Sequence, residues 1–422
     1  MVTPSAMSPS TGVESKTTKE TTPSGEPLTH VSLECASFQK ALNQLKTADN
    51  NNQTVTVTLP QDALNVQVDI PGCALIGTAK QLPNAVISVV GQQVSYRLPL
   101  QILPPESLAN SWKIDPDKLS FQLTIRKVTG LEKRILDGYI LKNELKPLDA
   151  TYDFQILAVA GDRKEELNDF GTTYVTRDIT IPGQLDPNKS SVFMVDPNPG
   201  IVSFVPAVFT VENGNTVVSV KRNGNSIYTV VTNDKTFGDL QNHWAKKEIE
   251  LLASKGLVKG ASDVSFAPDR SISRAEYVAL LVRALGLKPD ASAVSYKDVT
   301  ASDWFAAELG AAQKAGLVNG YEDGTFRPHN IISRQEMAVL LLKATRYAGI
   351  KFESNGQNTQ SLQSFKDKGL VERWAQSYVD EGVRNGLLQG ASDGYFLPNE
   401  KASRAQAVVV LARMLRFAGF IN

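Results

Sequence analysis

The sequence predicts a multidomain protein in which a β-rich, sandwich-like N-terminal region precedes an all-α region made of three similar repeats. Residues 54–231 contain many short runs of alternating or β-branched composition, which is typical of strands. From Phe237 onward the composition becomes helical, and one residue template occurs three times with its internal spacing unchanged. A chain of 422 residues, of which 42% are apolar, is long enough for two to four domains.

Charge and hydropathy exclude several classes of protein. The chain has 44 basic and 44 acidic residues, and residues 237–422 have 23 basic and 20 acidic ones. A nucleic-acid-binding surface normally needs a dense basic patch, so no nucleic-acid partner is expected. No run of 18 apolar residues exists, so no membrane span is predicted. The three histidines and two cysteines lack metal-ligand spacing, and we expect neither a metal site nor a cofactor.

Residues 1–30 are predicted to be a disordered linker, because Ser, Thr, Pro, Gly and Glu dominate their composition. They contain no apolar core segment of the kind found in a signal peptide. Two explanations are open: the sequence begins inside a longer protein, or its true start was removed. We favour the first.

Residues 31–235 are predicted to form a β-rich spacer region of one or two domains. A short helix is expected at 33–47, followed by strands at 54–59, 85–90, 94–100, 119–125, 153–160, 173–181 and 192–195. In 204–231, Asn213-Gly214 and Asn223-Gly224 each lie between alternating runs, so each predicts a β-hairpin. Cys35 and Cys73 fit a disulfide or two free thiols equally well.

The β-rich region contains no Ser-His-Asp order, phosphate-binding loop or metal cluster in its sequence. We therefore expect a spacer or presentation domain and no enzymatic activity. An unrecognised catalytic or carbohydrate-binding role is the alternative.

The repeats are predicted at 237–289, 296–349 and 365–420. In each repeat a tryptophan lies 30 residues before an arginine, and a glycine, a phenylalanine and a proline lie 14, eight and six residues before it. Each repeat opens with an aromatic-x-Asp triplet, at Phe237, Tyr296 and Phe365. Spacing this constant indicates one folded unit copied three times, so that a surface present on one copy is expected on all three.

The first helix of each repeat is predicted to end in a Schellman motif at a Gly-Leu pair, at Gly256, Gly316 and Gly386. The tryptophans are expected near the start of this helix, where a packing role is favoured over a ligand platform. The second glycine of each repeat lies 14 residues before the arginine, at Gly260, Gly320 and Gly390. These glycines are expected to serve the loop conformation, although a missing side chain would also admit a ligand to the backbone.

The second helix is predicted to begin with a capping box, formed by Ser273 and Glu276 and by the equivalent pairs Ser333–Glu336 and Ser403–Gln406. Within each box the residue directly after the serine is an arginine, which occupies the first helical position. The helix dipole disfavours a cation there. Such an arginine in all three repeats suggests that an anion compensates it, because free amides and a guanidinium together bind carboxylate or phosphate. The alternative is a structural salt bridge, for example from Arg274 to a triplet aspartate.

The segment FGDLQNHWAKKEIELLASKGLVKG and the segment FAPDRSISRAEYVALLVRALGL, with their counterparts from 296 and 365, resemble S-layer homology domains. The resemblance implies a pseudo-three-fold assembly around a central three-helix bundle, with ligand grooves between adjacent units. It also implies an extracellular protein that docks non-covalently onto a secondary cell-wall polysaccharide of Gram-positive peptidoglycan, often through a pyruvylated sugar. The arginine is the ligand-binding residue of that family's Thr-Arg-Ala-Glu motif, whose threonine is serine in all three repeats here.

The expected ligand site therefore combines the arginines, the second glycines, the tryptophans and the triplet aspartates: Arg274, Arg334, Arg404, Gly260, Gly320, Gly390, Trp244, Trp304, Trp374, Asp239, Asp298 and Asp367. The leading hypothesis is a surface anchor. The alternatives are an enzymatic or carbohydrate-binding β region delivered by the repeats, and a β region that assembles into a surface lattice.

Overall fold

A computed structural model describes residues 11–22, 25–46, 53–61, 63–197, 200–352 and 361–422. Among these residues, sixteen strands lie in the N-terminal part: β1 Thr11–Gly12, β2 Ser15–Thr21, β3 Pro27–Leu33, β4 Thr54–Thr58, β5 Asn65–Pro71, β6 Val86–Val90, β7 Val94–Pro99, β8 Ser120–Lys127, β9 Lys146–Ala160, β10 Arg163–Glu166, β11 Val175–Ile181, β12 Ser190–Asp196, β13 Ile201–Val205, β14 Ala207–Glu212, β15 Asn215–Arg222 and β16 Ile227–Thr232.

In the described part of the chain ten α-helices accompany them, four within the β-rich region and six in the repeats: α1 Cys35–Leu45, α2 Thr78–Gln81, α3 Pro105–Trp112, α4 Gly130–Lys142, α5 Lys246–Ser254, α6 Arg274–Ala284, α7 Ala306–Lys314, α8 Arg334–Tyr347, α9 Arg373–Arg384 and α10 Arg404–Phe417. None of the helices in the described ranges is both long and apolar enough to cross a membrane.

The strands form two mixed sheets that share one core. The seven-stranded sheet has the order β1-β4-β6-β7-β11-β15-β14, and the nine-stranded sheet runs β13-β12-β16-β9-β8-β5-β3-β2, with β10 added beside β9. Buried residues of both sheets belong to one apolar cluster, and the ring of Tyr96 on β7 meets that of Phe154 on β9 at 5.6 Å. The sandwich-like prediction is therefore confirmed for this region at the level of two facing sheets.

The linker prediction for residues 1–30 is wrong where the chain is described. Strands β2 and β3 pair antiparallel over seven residues each, and β3 joins the sheet through β5. Every residue of β2 is exposed, and its sequence, SKTTKET, is entirely polar. It therefore lacks the alternation of apolar residues that would indicate a strand. Pairing with β3, whose Val31 and Leu33 are buried, supplies the stabilisation instead. Residues 1–10, 23 and 24 lie outside the described residues.

The two Asn-Gly pairs have different outcomes. Asn213 and Gly214 form the two-residue turn between β14 and β15, and both have positive φ, as a type I′ hairpin requires. The hairpin prediction at Asn223-Gly224 is wrong, because β15 lies in one sheet and β16 in the other. The buried Arg177 guanidinium binds the Gly224 carbonyl at 2.7 Å and the Asn225 side chain, which fixes this crossover from the inside.

The expected helix at 33–47 is observed as α1, with Phe38, Leu42 and Leu45 buried. Its first residue, Cys35, is disulfide-bonded to Cys73, which resolves the alternative that composition left open. The bridge fastens α1 to the turn that follows β5.

In each repeat a short helix leads through a loop to a longer one. Gly256, Gly316 and Gly386 have φ near +70°, and the following leucine donates to the carbonyl five residues back, which confirms the Schellman ends. All three capping boxes are formed, including the one in which Gln406 replaces glutamate.

Backbone hydrogen bonds join the repeats in a cycle. Ile332 N donates to the Ile272 carbonyl, Ala402 N to Ile332, and Ile272 N to Ala402. The long helices α6, α8 and α10 each contact the other two. Each repeat is therefore bonded to both of the others.

The first and third repeats also pack against the β-rich region. Residues Val195 and Phe204 belong to the same buried cluster as the repeats. The side chain of Asn422 exchanges two hydrogen bonds with the backbone of Phe209 on β14, at 2.8 and 2.9 Å. The β-rich region and the repeats are thus continuous in their packing.

Candidate functional site

The three predicted arginines occupy equivalent positions at the boundaries between repeats. Each is the first residue of its long helix, and its Nε donates to the carbonyl of the loop phenylalanine in the next repeat. The donor–acceptor distances are 3.1 Å for Arg274–Phe326, 2.8 Å for Arg334–Phe396 and 3.2 Å for Arg404–Phe266. The carbonyl partly compensates a cation that the helix dipole disfavours, and it fixes the guanidinium in the groove.

The phenylalanine loop is held in place by the triplet aspartate of its own repeat. Asp298 accepts hydrogen bonds from the amides of Phe326 and Arg327, both at 2.7 Å, and Asp239 and Asp367 make the equivalent pairs. Burial opposes ionisation of Asp239, but the loop amides and the Ser265 hydroxyl outweigh it and lower the pKa of this carboxyl. The aspartates therefore act through the loop, and none pairs with Arg274 as the example of a structural salt bridge suggested. Arg274 does form a structural salt bridge, but its partner is Glu336.

The residue that follows each loop phenylalanine has a left-handed backbone although it is not glycine. Its φ is +57° at Ala267, +58° at Arg327 and +59° at Leu397. This conformation is unfavourable for an L-residue, and the aspartate binds its amide in each repeat. The aspartate thus stabilises the strained loop whose carbonyl accepts from the arginine.

The second glycines are needed for space rather than for an unusual backbone. None of them has positive φ, which corrects the conformational interpretation. A Cβ on Gly260 would lie 2.6 Å from the Phe237 ring and 2.2 Å from the Ser262 carbonyl oxygen, and Gly320 and Gly390 face Tyr296 and Phe365 in the same way. Their role is to admit the triplet aromatic ring.

The tryptophans are exposed, so the favoured packing role is wrong for them. The exposed fractions are 64% for Trp244, 58% for Trp304 and 47% for Trp374. Trp244 precedes α5 instead of joining its buried face. Exposed indole rings at repeat boundaries are available to a ligand.

The three grooves differ in charge. Arg274 donates to Glu336 Oε1 at 2.9 Å, so its guanidinium already has a carboxylate partner. Beside Arg334 the equivalent position is the neutral Gln406. Beside Arg404 the equivalent position is Glu276, which pairs with Arg270 at 2.5 Å. Burial lowers the pKa of both Arg334 and Arg404, and no described carboxylate forms an ion pair with either.

A cavity of about 210 Å³ lies beside Arg334. Repeat 2 contributes Arg334 and Met337, repeat 1 contributes Trp244, and repeat 3 provides the rest of the wall: Leu388, Gln389, Gly390, Ala391, Phe396, Gln406, Val409, Val410 and Arg413. Arg334 Nη2 also donates to the Gln389 carbonyl at 3.2 Å. Sequence reasoning missed Gln389 and Arg413, although a basic residue nine positions after each arginine, at 283, 343 and 413, was visible.

These contacts describe a groove with a guanidinium group, an apolar wall and an exposed indole. The described residues contain no group of three or more His, Cys, Asp or Glu side chains that could hold a metal ion. The chemistry available at the groove is charge-assisted hydrogen bonding and ring contact.

Comparison with known families agrees with this geometry. Residues 236–278, 295–338 and 364–408 match the S-layer homology domain. The C-terminal region therefore consists of three S-layer homology domains, as the resemblance predicted.

The chain is also similar to several larger proteins. It is 31% identical over 241 residues to an amylopullulanase of Thermoanaerobacterium thermosulfurigenes, covering 56% of this chain and 12% of that protein. It is 32% identical over 162 residues to a cellulosome-anchoring protein of Acetivibrio thermocellus, covering 37% and 35% respectively. It is 31% identical over 180 residues to S-layer protein EA1 of Bacillus anthracis, covering 42% and 20%. The aligned part thus spans well under half of each relative.

Proposed function

We propose that this chain holds a protein on the Gram-positive cell surface by binding an anionic secondary cell-wall polysaccharide non-covalently between its repeats. The observation that carries this proposal is the half-buried Arg334, which is fixed by two backbone carbonyls and forms no ion pair with a described carboxylate. A cation held in this way favours an anionic ligand, and a guanidinium suits the planar geometry of a carboxylate. The names of relatives, a cellulosome-anchoring protein and an S-layer protein, support an extracellular, surface-anchoring role.

The proposed architecture is a pseudo-three-fold arrangement of the repeats around a bundle of α6, α8 and α10. The cyclic backbone bonds among Ile272, Ile332 and Ala402 support it, as do the mutual contacts of the three helices. In this arrangement one groove lies at each repeat boundary. The groove at Arg334 is the principal site, because its cation forms no ion pair with a described carboxylate and a cavity adjoins it.

The proposed ligand carries a pyruvyl ketal, whose carboxylate would meet the guanidinium while the sugar ring contacts Trp244. The chemical support is that a buried guanidinium has little use for a neutral hydroxyl group. Binding should weaken modestly with added salt, since the groove is partly enclosed. The proposal requires no cofactor.

For the β-rich region we propose a spacer role without catalytic activity. The large exposed apolar residues in its described part are aliphatic, at Leu64, Ile76, Leu131, Ile135, Leu141, Ile201 and Val211. A carbohydrate-binding face would be expected to expose aromatic rings. The alternative of a catalytic or carbohydrate-binding domain is favoured by the glycosidase names among the relatives, and release of reducing sugar from wall polysaccharide by the full chain would support it.

Co-sedimentation of the full chain with Gram-positive walls tests the anchoring role. We expect binding to walls that carry the polysaccharide and loss of binding to walls stripped of it by acid. Equal binding to both would show that bare peptidoglycan is the target.

Calorimetry tests the ligand class. We expect a pyruvylated methyl hexoside to bind and the same sugar without the ketal not to bind. The Arg334→Gln variant should lose binding to the first sugar, by about ten- to a hundred-fold if one charge-assisted contact is removed. Comparable affinities for the two sugars would overturn recognition through the negative charge.

A further inference from the structure

We propose that Arg413 is a second ligand-binding cation in the groove at Arg334, so that two guanidinium groups bind one anionic sugar there. This inference rests on the proposed function and goes beyond it, because Arg413 is not part of the repeat motif. It lies in the last part of α10, nine residues after Arg404, but it lines the cavity beside Arg334.

Gln389 accepts hydrogen bonds from both arginines. Arg334 Nη2 donates to the backbone carbonyl of Gln389 at 3.2 Å, and Arg413 Nη2 donates to the Oε1 of the same residue at 2.8 Å. Gln389 therefore contacts both guanidinium groups, and both line the same cavity. An anion in this cavity would have a guanidinium partner from each arginine.

No carboxylate in the described part of the chain forms an ion pair with either guanidinium, although the charges of Asp367 and Glu400 act on Arg334. Glu248 is the acid that acts on Arg413, but Arg416 already pairs with it at 2.8 Å. Gln406, on the facing part of the wall, is neutral where the other two repeats have glutamate. Burial lowers the pKa of Arg413 as well as that of Arg334, and it outweighs the opposing charges of Glu248 on Arg413 and of Asp367 and Glu400 on Arg334.

Both guanidinium groups also retain unused donors. The described residues accept from Nε and Nη2 of Arg334 and from Nη2 of Arg413, which leaves Nη1 of each and Nε of Arg413 without a described acceptor. A carboxylate has about four acceptor positions and can take hydrogen bonds from two guanidinium groups at once.

The equivalent residues of the other repeats are different. Arg283 pairs with Glu308 at 2.5 Å, and Lys343 presents a point charge instead of a planar fork. The two-arginine arrangement is thus a property of one groove, and it distinguishes that groove from the other two in affinity and in sensitivity to salt.

The experiment uses the full chain and titrates the pyruvylated methyl hexoside by calorimetry at several salt concentrations. We expect Arg413→Gln to weaken binding about ten- to a hundred-fold and to reduce the dependence of affinity on salt. Arg413→Lys should keep most of the salt dependence while losing part of the affinity. Arg283→Gln is the matched control, because it removes an arginine at the equivalent helix position outside the cavity, and it should bind like the parent chain.

Each outcome bears on a different claim. Loss of binding in Arg334→Gln with unchanged binding in Arg413→Gln would overturn the two-arginine site and leave the proposed function standing. Unchanged binding in Arg334→Gln would overturn the proposed function itself. If Arg413→Gln lowers the melting temperature, the comparison with Arg413→Lys decides. Salt dependence near that of the parent chain with only a partial loss of affinity in Arg413→Lys supports the role of the charge, and equal loss in both variants contradicts it.

Discussion

At the residue scale, the arginines at the helix starts serve the fold and the groove together. Nε of each arginine bonds the neighbouring repeat, while the remaining nitrogens face an environment that differs from groove to groove. One of the residues that changes the charge beside these arginines is at the third helical position, which is glutamate in two repeats and glutamine in the third. A single substitution there should therefore convert one groove type into another.

Glu336→Gln should open the groove at Arg274 to an anionic ligand. Glutamine keeps the capping box, as Gln406 does in α10, but removes the carboxylate that pairs with Arg274 at 2.9 Å. An ion-paired hydrogen bond of this kind contributes about 1.5–3 kcal/mol, so affinity at this groove should rise about ten-fold or more. Calorimetric stoichiometry with the pyruvylated sugar measures it, and an unchanged number of sites with unchanged affinity would contradict the role assigned to Glu336.

Gly260→Ala should destabilise the first repeat strongly. The new methyl group would lie 2.2 Å from a backbone oxygen and 2.6 Å from the Phe237 ring, and overpacking of this kind costs about 1–3 kcal/mol. Gly369→Ala is the matched control, since its added Cβ meets no atom within 4 Å and its φ is not positive. Urea unfolding curves compare the two, and equal stability would show that the triplet ring is free to move aside.

At the scale of elements, one helix end joins the repeats to the β-rich region. The ring of Phe193 on β12 fills the space where Gly256 would carry a Cβ, at 2.6 Å, whereas Gly316 and Gly386 have nothing within 4 Å. Beside it the buried Lys255 donates to the carbonyls of Pro187 and Ser190 at 2.7 and 3.0 Å. In the second and third repeats the Schellman glycine only ends a helix. In the first repeat the glycine also contacts the β-rich region, through Phe193.

Because of Lys255, the free energy of unfolding of the chain should depend on pH in the alkaline range. Burial lowers the pKa of this amine from 10.5 to about 8. The unfolded chain then holds the proton more tightly, so the free energy of unfolding should rise between about pH 8 and 10.5, by roughly 3 kcal/mol. The Lys255→Met variant should lack this rise. Denaturation at several pH values measures the difference, and parallel curves for both chains would show that Lys255 stays exposed to solvent in solution.

At the scale of the whole molecule, the two regions are packed as one body. The ring of Tyr174, which precedes β11, contacts the ring of Phe420 of the third repeat in a tilted arrangement, with 4.8 Å between centroids. The Tyr174 hydroxyl donates to the Leu285 carbonyl of the first repeat at 2.7 Å. Together with the bonds from Asn422 to Phe209, these contacts couple the repeats to the outer strand of the seven-stranded sheet. Cooperative unfolding is the expected consequence.

Phe420→Ala should therefore lower the stability of both regions together. Removing a buried phenylalanine costs about 3–5 kcal/mol, and the loss falls at the contact between the regions. Calorimetry should give one transition in the parent chain and one transition at lower temperature in the variant. Leu370→Ala removes an exposed side chain and should leave the transition unchanged. Two separate transitions in the parent chain, with only one of them shifted in the variant, would contradict the coupling.

The sequence by itself determined the repeats, their helix ends and the arginines of the site. These features depend on local rules: a glycine with positive φ ends a helix, and a serine with glutamate or glutamine begins one, in all three copies. Local rules also identified most strands and the hairpin at Asn213-Gly214.

Only the tertiary structure decided which side chains compensate the arginines and which remain available. The partners of Arg274, Arg334 and Arg404 lie 52 to 138 residues away along the chain, in other repeats. Exposure of the tryptophans, the crossover at Asn223-Gly224 and the exposed strand β2 depend in the same way on what packs or pairs across the fold. Such contacts are set by the packing of distant segments, and no local periodicity encodes them.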